Sequence, residues 1–180
     1  MLSAIIEVSD GRDPRATFAS LTAAATDGFV REVIVADPGG SADVAAIAED
    51  AGARLVSDGE LSFARACAEA RHRWLLLLRS GSRLASGWER AAWRHINDHA
   101  DCAGWFRLSL KRQGLAARAA EVRMDVAARL LGRLRAEHGL LISRPLYEQQ
   151  QARGLPARLP LQARPLWRIQ ARILTEGVQP

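Results

Sequence analysis

Over its first 78 residues the chain alternates short apolar runs with segments of helical spacing, and few folds accept that pattern. Leu2–Val8 is a short apolar run suited to a buried strand, and Pro14–Ala25 has helical spacing. Glu32-Val33-Ile34-Val35-Ala36 is β-rich and ends at the turn Asp37-Pro38-Gly39-Gly40. Ser41 is placed to N-cap a helix running to Ala51, with Gly52 as its C-terminal stop. Ala53–Val56 reads as a third strand, Glu60–Ala70 as a third helix and Trp74–Leu78 as a fourth strand. Strands that are apolar throughout have both faces covered, and their separation by helices makes them parallel. The expectation is an α/β fold: an open, mostly parallel, Rossmann-like central sheet flanked by helices on both faces.

Beyond Leu78 the rhythm loosens. Arg79–Ser86 reads as a polar loop, 87–99 as a Trp-containing helix and Ala103–Leu110 as a further strand. Leu115–Arg135 is a long amphipathic helix with Leu115, Ala119, Val122, Val126, Leu130 and Leu134 on one stripe. Prolines 156, 160 and 165 break the chain, and Leu166–Leu174 reads as a last helix. There is no internal repeat, and 180 residues are the length of one domain.

Charge separates the two halves. Residues 1–101 hold 11 basic and 15 acidic side chains, a net of −4, whereas residues 102–180 hold 14 basic and 5 acidic, a net of +9. Lys111 is the only lysine, so arginine is the general cation here and carries little specific meaning. The basic half suggests a surface facing an anionic partner: a phosphate-bearing ligand, a membrane or nucleic acid. Aromatics are few and no nucleic-acid motif is present, so nucleic acid is not expected. Cys67 and Cys102 read as unpaired, buried thiols with no Cys-x-x-Cys spacing, and the N-terminus lacks a basic leader; both features suit the cytoplasm. His72, His95 and His99 lack ligand partners at metal spacing and read as surface residues. A dinucleotide enzyme would need Gly-x-Gly-x-x-Gly after the first strand, where this chain has Asp10-Gly11-Arg12-Asp13-Pro14. A nucleophile-elbow hydrolase would need Gly-x-Ser-x-Gly, which is absent.

Ligands of open α/β sheets bind beyond the carboxyl ends of the strands, where Asp10, Asp37, Asp58 and Arg79 stand. The succession Ser3-Ala4-Ile5-Ile6, Glu32-Val33-Ile34-Val35-Ala36-Asp37, Ala51-Gly52-Ala53-Arg54-Leu55-Val56 and Trp74-Leu75-Leu76-Leu77-Leu78 resembles family 2 glycosyltransferases of the GT-A fold, in the nucleotide-diphospho-sugar transferase superfamily. Ser82-Arg83-Leu84-Ala85-Ser86-Gly87-Trp88 is similar to the segment after that family's metal motif. Ala103-Gly104-Trp105-Phe106-Arg107-Leu108 and Glu137-His138-Gly139-Leu140-Leu141-Ile142-Ser143-Arg144 resemble a bacterial subgroup of it.

The resemblance implies a nucleotide-sugar half at 1–101 and an acceptor half at 102–180. Asp37 matches an acidic turn residue that contacts the nucleoside; alternatively it only starts the turn at Pro38-Gly39. Asp10 matches a polar residue facing the base or ribose, or is a solvated loop carboxylate, and Asp58 joins the donor-binding set. The family's Asp-x-Asp metal motif is replaced by Arg79-Ser80-Gly81-Ser82, so the resemblance carries no divalent-metal site with it. Its Glu-Asp pair in the acceptor half is missing too.

Two readings of these losses stand. Arg79 and Arg83 stabilise the leaving diphosphate in place of metal, with Glu137 as general base and transfer of a hexosyl or related unit. Alternatively the site has decayed to a noncatalytic nucleotide-binding or scaffold module, Arg79 caps a strand and Glu137-His138-Gly139 is a helix stop. The acceptor is unknown. The Arg/Trp-rich 164–174 segment, read as a helix, suggests either peripheral contact with the inner face of the membrane and a lipid-linked acceptor, or a helix packed on the sheet.

Overall fold

The computed structural model of the chain describes residues 1–9, 12–110, 121–123, 126, 136–153 and 166–175. The first half runs β1 (Leu2–Glu7), α1 (Arg15–Thr26), β2 (Val30–Ala36), α2 (Ala42–Asp50), β3 (Arg54–Val56), α3 (Ser62–Glu69) and β4 (Trp74–Arg79). There follow β5 (Arg83–Leu84), α4 (Trp88–Asp98), β6 (Ala103–Leu110), a 3-10 turn (Ala136–His138), β7 (Leu140–Ser143), α5 (Arg144–Ala152) and β8 (Leu166–Thr175).

The strands form one sheet in the order β3-β2-β1-β4-β7-β6-β8-β5. Pairs β2–β3, β1–β2, β1–β4 and β6–β8 are parallel; β7 runs against both β4 and β6, and β5 against β8. The alternation of strand and helix before Leu78 produces the parallel half, as expected. Every residue of β1 is buried, because helices cover both faces. On one face Ile5, Leu75, Leu77 and Trp105 pack with Phe63 and Cys67 of α3 and Tyr147 of α5. On the other, Ile6, Leu76, Leu78 and Phe106 pack with Leu21 of α1 and with Trp88 and Ala92 of α4.

The sheet curls. β5 begins four residues after the end of β4 yet pairs with β8, three strands further along the sheet. Gly139 shows the closure: a side chain there would meet Leu78 of β4 at 3.0 Å and Ile173 of β8 at 3.2 Å. Its φ of +62° also requires glycine, and it ends the 3-10 turn.

Four expectations change. Leu166–Leu174 is not a helix but most of β8. Trp167, Ile169, Ala171 and Ile173 alternate with Arg168, Gln170 and Arg172, a period of two, and the inward Ile169 and Ile173 are fully buried. The strand is bonded along both edges, so the Arg/Trp helix that was to contact the membrane or pack on the sheet does not form. Arg79–Ser86 is not all loop: Arg79 closes β4 and Arg83-Leu84 is β5. His95 is not a surface residue. It turns inward from α4, its Nε2 lies 3.1 Å from the Cys102 carbonyl, and its ring meets Trp74 edge-on. Cys102, expected to be buried like Cys67, is only half-buried.

Residues 121–123 and 126 are helical, and the rest of the long helix expected at Leu115–Arg135 lies outside the described residues. Among the described residues no helix is long and apolar enough to cross a membrane.

Candidate active site at the carboxyl ends of β1, β2 and β4

Parallel strands end together, so the loops after β1, β2 and β4 meet. Between the first two lies a cleft of about 480 Å³ lined by Val8, Ser9, Arg12, Asp37, Pro38 and Ile47 among others. Asp37 is 2% exposed, and its carboxylate accepts the Gly39 N–H at 3.0 Å and the Ser41 N–H at 2.7 Å. Ser41 is the N-cap residue of α2 and its side chain makes no capping bond; Asp37 accepts from the Ser41 N–H itself, just ahead of the helix, and so fixes where α2 begins. Asp37 thus builds the turn and also lines the cleft. Ser9 carries a buried hydroxyl that makes no hydrogen bond among the described residues.

The loop after β4 is tied to β1. The Ser80 N–H donates to the Glu7 carbonyl at 2.9 Å, and the Ser9 N–H donates to Ser80 Oγ at 3.3 Å. Gly81 takes a φ of +80°, and the Arg12 side chain leans against it. Glu7 and Arg79 end their strands in register, on the same face of the sheet as Ile5 and Leu77. Arg79 Nη1 reaches Glu137 Oε1 at 3.3 Å, an ion pair whose side chains are 23% and 9% exposed. Arg79 Nε is buried and bonds nothing among the described residues. His138 packs edge-on against Trp105, ring centroids 5.4 Å apart. Nearby, burial pushes the Cys67 thiol up to about 12, which makes it inert at neutral pH.

The structure therefore brings Arg79 and Glu137 together, although the sequence assigned them separate tasks. Arg83 lies exposed on β5. Asp58 does not line the cleft: it is exposed beyond β3 and pairs with Arg65 at 3.1 Å. Asp10 lies outside the described residues. Sequence reasoning gave no site role to Ser9, Arg12 or Trp105: Ser9 and Arg12 stand in the loop after β1 and Trp105 in β6, and only the order of the strands brings them here.

No protein-family model matches the sequence, and no curated protein matches it. Solved structures do match. A glucosyl-3-phosphoglycerate synthase from Mycobacterium tuberculosis, crystallised with Mn2+, uridine diphosphate and glucosyl-3-phosphoglycerate, superposes with a TM-score of 0.60 at 16% identity. That match covers 100% of this chain and 73% of the other. S. aureus TarS 1-349 gives 0.63 at 11% identity over 98% of this chain and 60% of that one. Mannosyl-3-phosphoglycerate synthase from Rubrobacter xylanophilus gives 0.54 at 13% identity over 82% of this chain. This is the GT-A glycosyltransferase fold. The chain spans only 54% of the length of the Rubrobacter enzyme, so it corresponds to part of that larger protein.

In GT-A terms, Arg79 to Ser82 stand where the resemblance puts an Asp-x-Asp metal motif. The residues present do not fit a divalent ion. The segment has no carboxylate, Ser80 Oγ is taken up by the Ser9 N–H, and a guanidinium already sits against Glu137. Among the described residues, no three His, Cys, Asp or Glu side chains come together as a metal set.

Proposed function

We propose that this protein is a family 2-like glycosyltransferase that moves a sugar from a nucleotide-diphospho-sugar to an acceptor hydroxyl without the usual Asp-x-Asp metal. The supporting observation is the Arg79 guanidinium at the carboxyl end of β4, the strand next to β1, whose buried Nε–H bonds nothing among the described residues. In this reading residues 1–101 bind the donor and residues 102–180 the acceptor. The nucleoside lies against Ser9, Asp10 and Asp37, the remaining lone pairs of Asp37 accepting from it, and Asp58 borders the same edge of the sheet.

The diphosphate points toward Arg79, with Arg83 as a second cation. As it arrives it competes with Glu137 for the guanidinium, because a diphosphate carries more charge than one carboxylate. Glu137 is thereby freed to accept the proton of the acceptor hydroxyl. The acceptor oxygen forms its bond to the anomeric carbon as the bond to the diphosphate breaks. The electron pair leaves on the phosphate oxygen, where Arg79 stabilises it. The configuration inverts. The two free thiols suit a cytoplasmic setting for this chemistry.

A thermal-shift panel of nucleoside diphosphates and their sugars, with Mn2+ and with chelator, tests this. A ligand at a hundred times its Kd adds about 2.7 kcal/mol of stability. Stabilisation that survives chelator and disappears in Arg79→Ala is expected. Absence of any nucleotide response, or a response that requires Mn2+, refutes the proposal.

A further inference from the structure

We propose that the basic hollow where β6 meets β8 holds the anionic group, a phosphate or a carboxylate, of the acceptor; the acceptor assignment rests on the transferase reading above. β6 and β8 pair in parallel from Ala103↔Leu166 to Phe106↔Ile169, and the register then jumps to Arg107↔Arg172. Gln170 and Ala171 are the extra residues of this bulge. Two extra residues preserve the alternation of side chains, whereas one would invert it. Phe106, Leu108, Ile169 and Ile173 therefore all point into the core, and Arg107, Arg168 and Arg172 share the opposite face.

These three arginines and Gln170 surround a cavity of about 220 Å³, and no acidic residue is among its described lining. Among the described residues, no carboxylate bonds Arg107 or Arg172. A sheet gains nothing from placing Arg107 directly opposite Arg172, since like charges in register repel. An anion reverses that sign, because guanidinium forks bind phosphate and carboxylate through paired hydrogen bonds.

The hollow also lies on the acceptor side of the proposed chemistry. Trp105, in register with Arg168, packs on His138, which follows Glu137 in the 3-10 turn. Three strand spacings separate β4 from β8, about 14 Å along a flat sheet. The curl recorded at Gly139 brings them nearer. The acceptor of this reading carries its anion at one end and its hydroxyl at the other, with a length that matches this separation.

Calorimetric titration of the full chain with inorganic phosphate and glycerol 3-phosphate tests the site, with the donor cleft saturated by nucleoside diphosphate. We expect salt-sensitive binding that weakens about tenfold in Arg107→Gln and in Arg172→Gln, and further in the double variant. Arg172 is exposed, so its replacement preserves the fold. Phosphatidylcholine vesicles carrying phosphatidic acid form the second arm. Binding confined to them and lost in the same variants supports the site with a lipid headgroup as the source. Unchanged affinity in a folded double variant, or no binding in either arm, overturns the inference. Anion binding that persists when no nucleotide binds refutes the transferase reading and not the anion site.

Discussion

The Arg79–Glu137 pair lends itself to a double-mutant cycle. At 3.3 Å, two unit charges in an effective dielectric of about 20 attract by about 5 kcal/mol before desolvation is counted. Desolvation cancels most of this. Both groups retain some solvent contact, so the pair falls between an exposed bridge at about 0–1 kcal/mol and the 3–5 kcal/mol lost when a buried pair is broken. Arg79→Ala leaves Glu137 enclosed without its cation and is expected to cost about 2–3 kcal/mol. Glu137→Gln keeps a hydrogen-bond acceptor of the same shape and costs about 1–2 kcal/mol.

The double variant should then be more stable than the sum of the two losses predicts, by about 1.5 kcal/mol. Urea unfolding of the four proteins measures this, provided the m-value is constant across the set. Additivity to within about 0.5 kcal/mol would refute the reasoning, because the two side chains would then not be energetically coupled. The same four proteins separate the chemical roles. Donor binding should be lost in both proteins lacking Arg79, while Glu137→Gln should keep donor binding and lose turnover.

Gly104→Ala places a methyl group 2.6 Å from Ile169 Cδ1 and 2.8 Å from His95 Nε2, both on buried side chains. Overpacking of this kind costs about 1–3 kcal/mol, so the melting temperature should fall, and an unchanged value would contradict the close approach of β6, β8 and α4. His95 makes stability pH-dependent. Burial holds its imidazole below the ordinary value, with His99 acting in the same direction and the Cys102 carbonyl and Asp101 against it. The unfolded chain therefore takes up the proton first. The contribution is complete above pH about 6.5 and is lost as the pH falls from there toward the folded-state value. His95→Gln should flatten the slope of stability between pH about 7 and 5, and an unchanged slope would assign it to another group.

Local pattern was a reliable guide wherever burial on both faces left only one periodicity. Trp74–Leu78 is a run too apolar for anything but an interior strand, and β4 lies between β1 and β7. Asp37-Pro38-Gly39-Gly40 announced its turn, and the Asp37 carboxylate closes it. The pattern misled at Leu166–Leu174, where arginines and apolar residues satisfy helical spacing and a period of two equally well. Only pairing with β6 and β5 decides between them, since an extended segment there completes two ladders of backbone hydrogen bonds. Leu140–Ser143 is too short a run to show itself as a strand before β4 and β6 are in place on either side.

By itself the sequence determined the parallel first half, the turn at Asp37, the absence of carboxylates from Arg79 to Ser82 and the basic surplus of the second half. These are properties of composition and of neighbours along the chain. Tertiary structure decided that Arg79 faces Glu137, 58 residues away, and that Arg107 and Arg172 share one face of a bulge. Such contacts depend on the order and curl of the sheet, which arise from packing between distant segments and leave no periodic mark in either one.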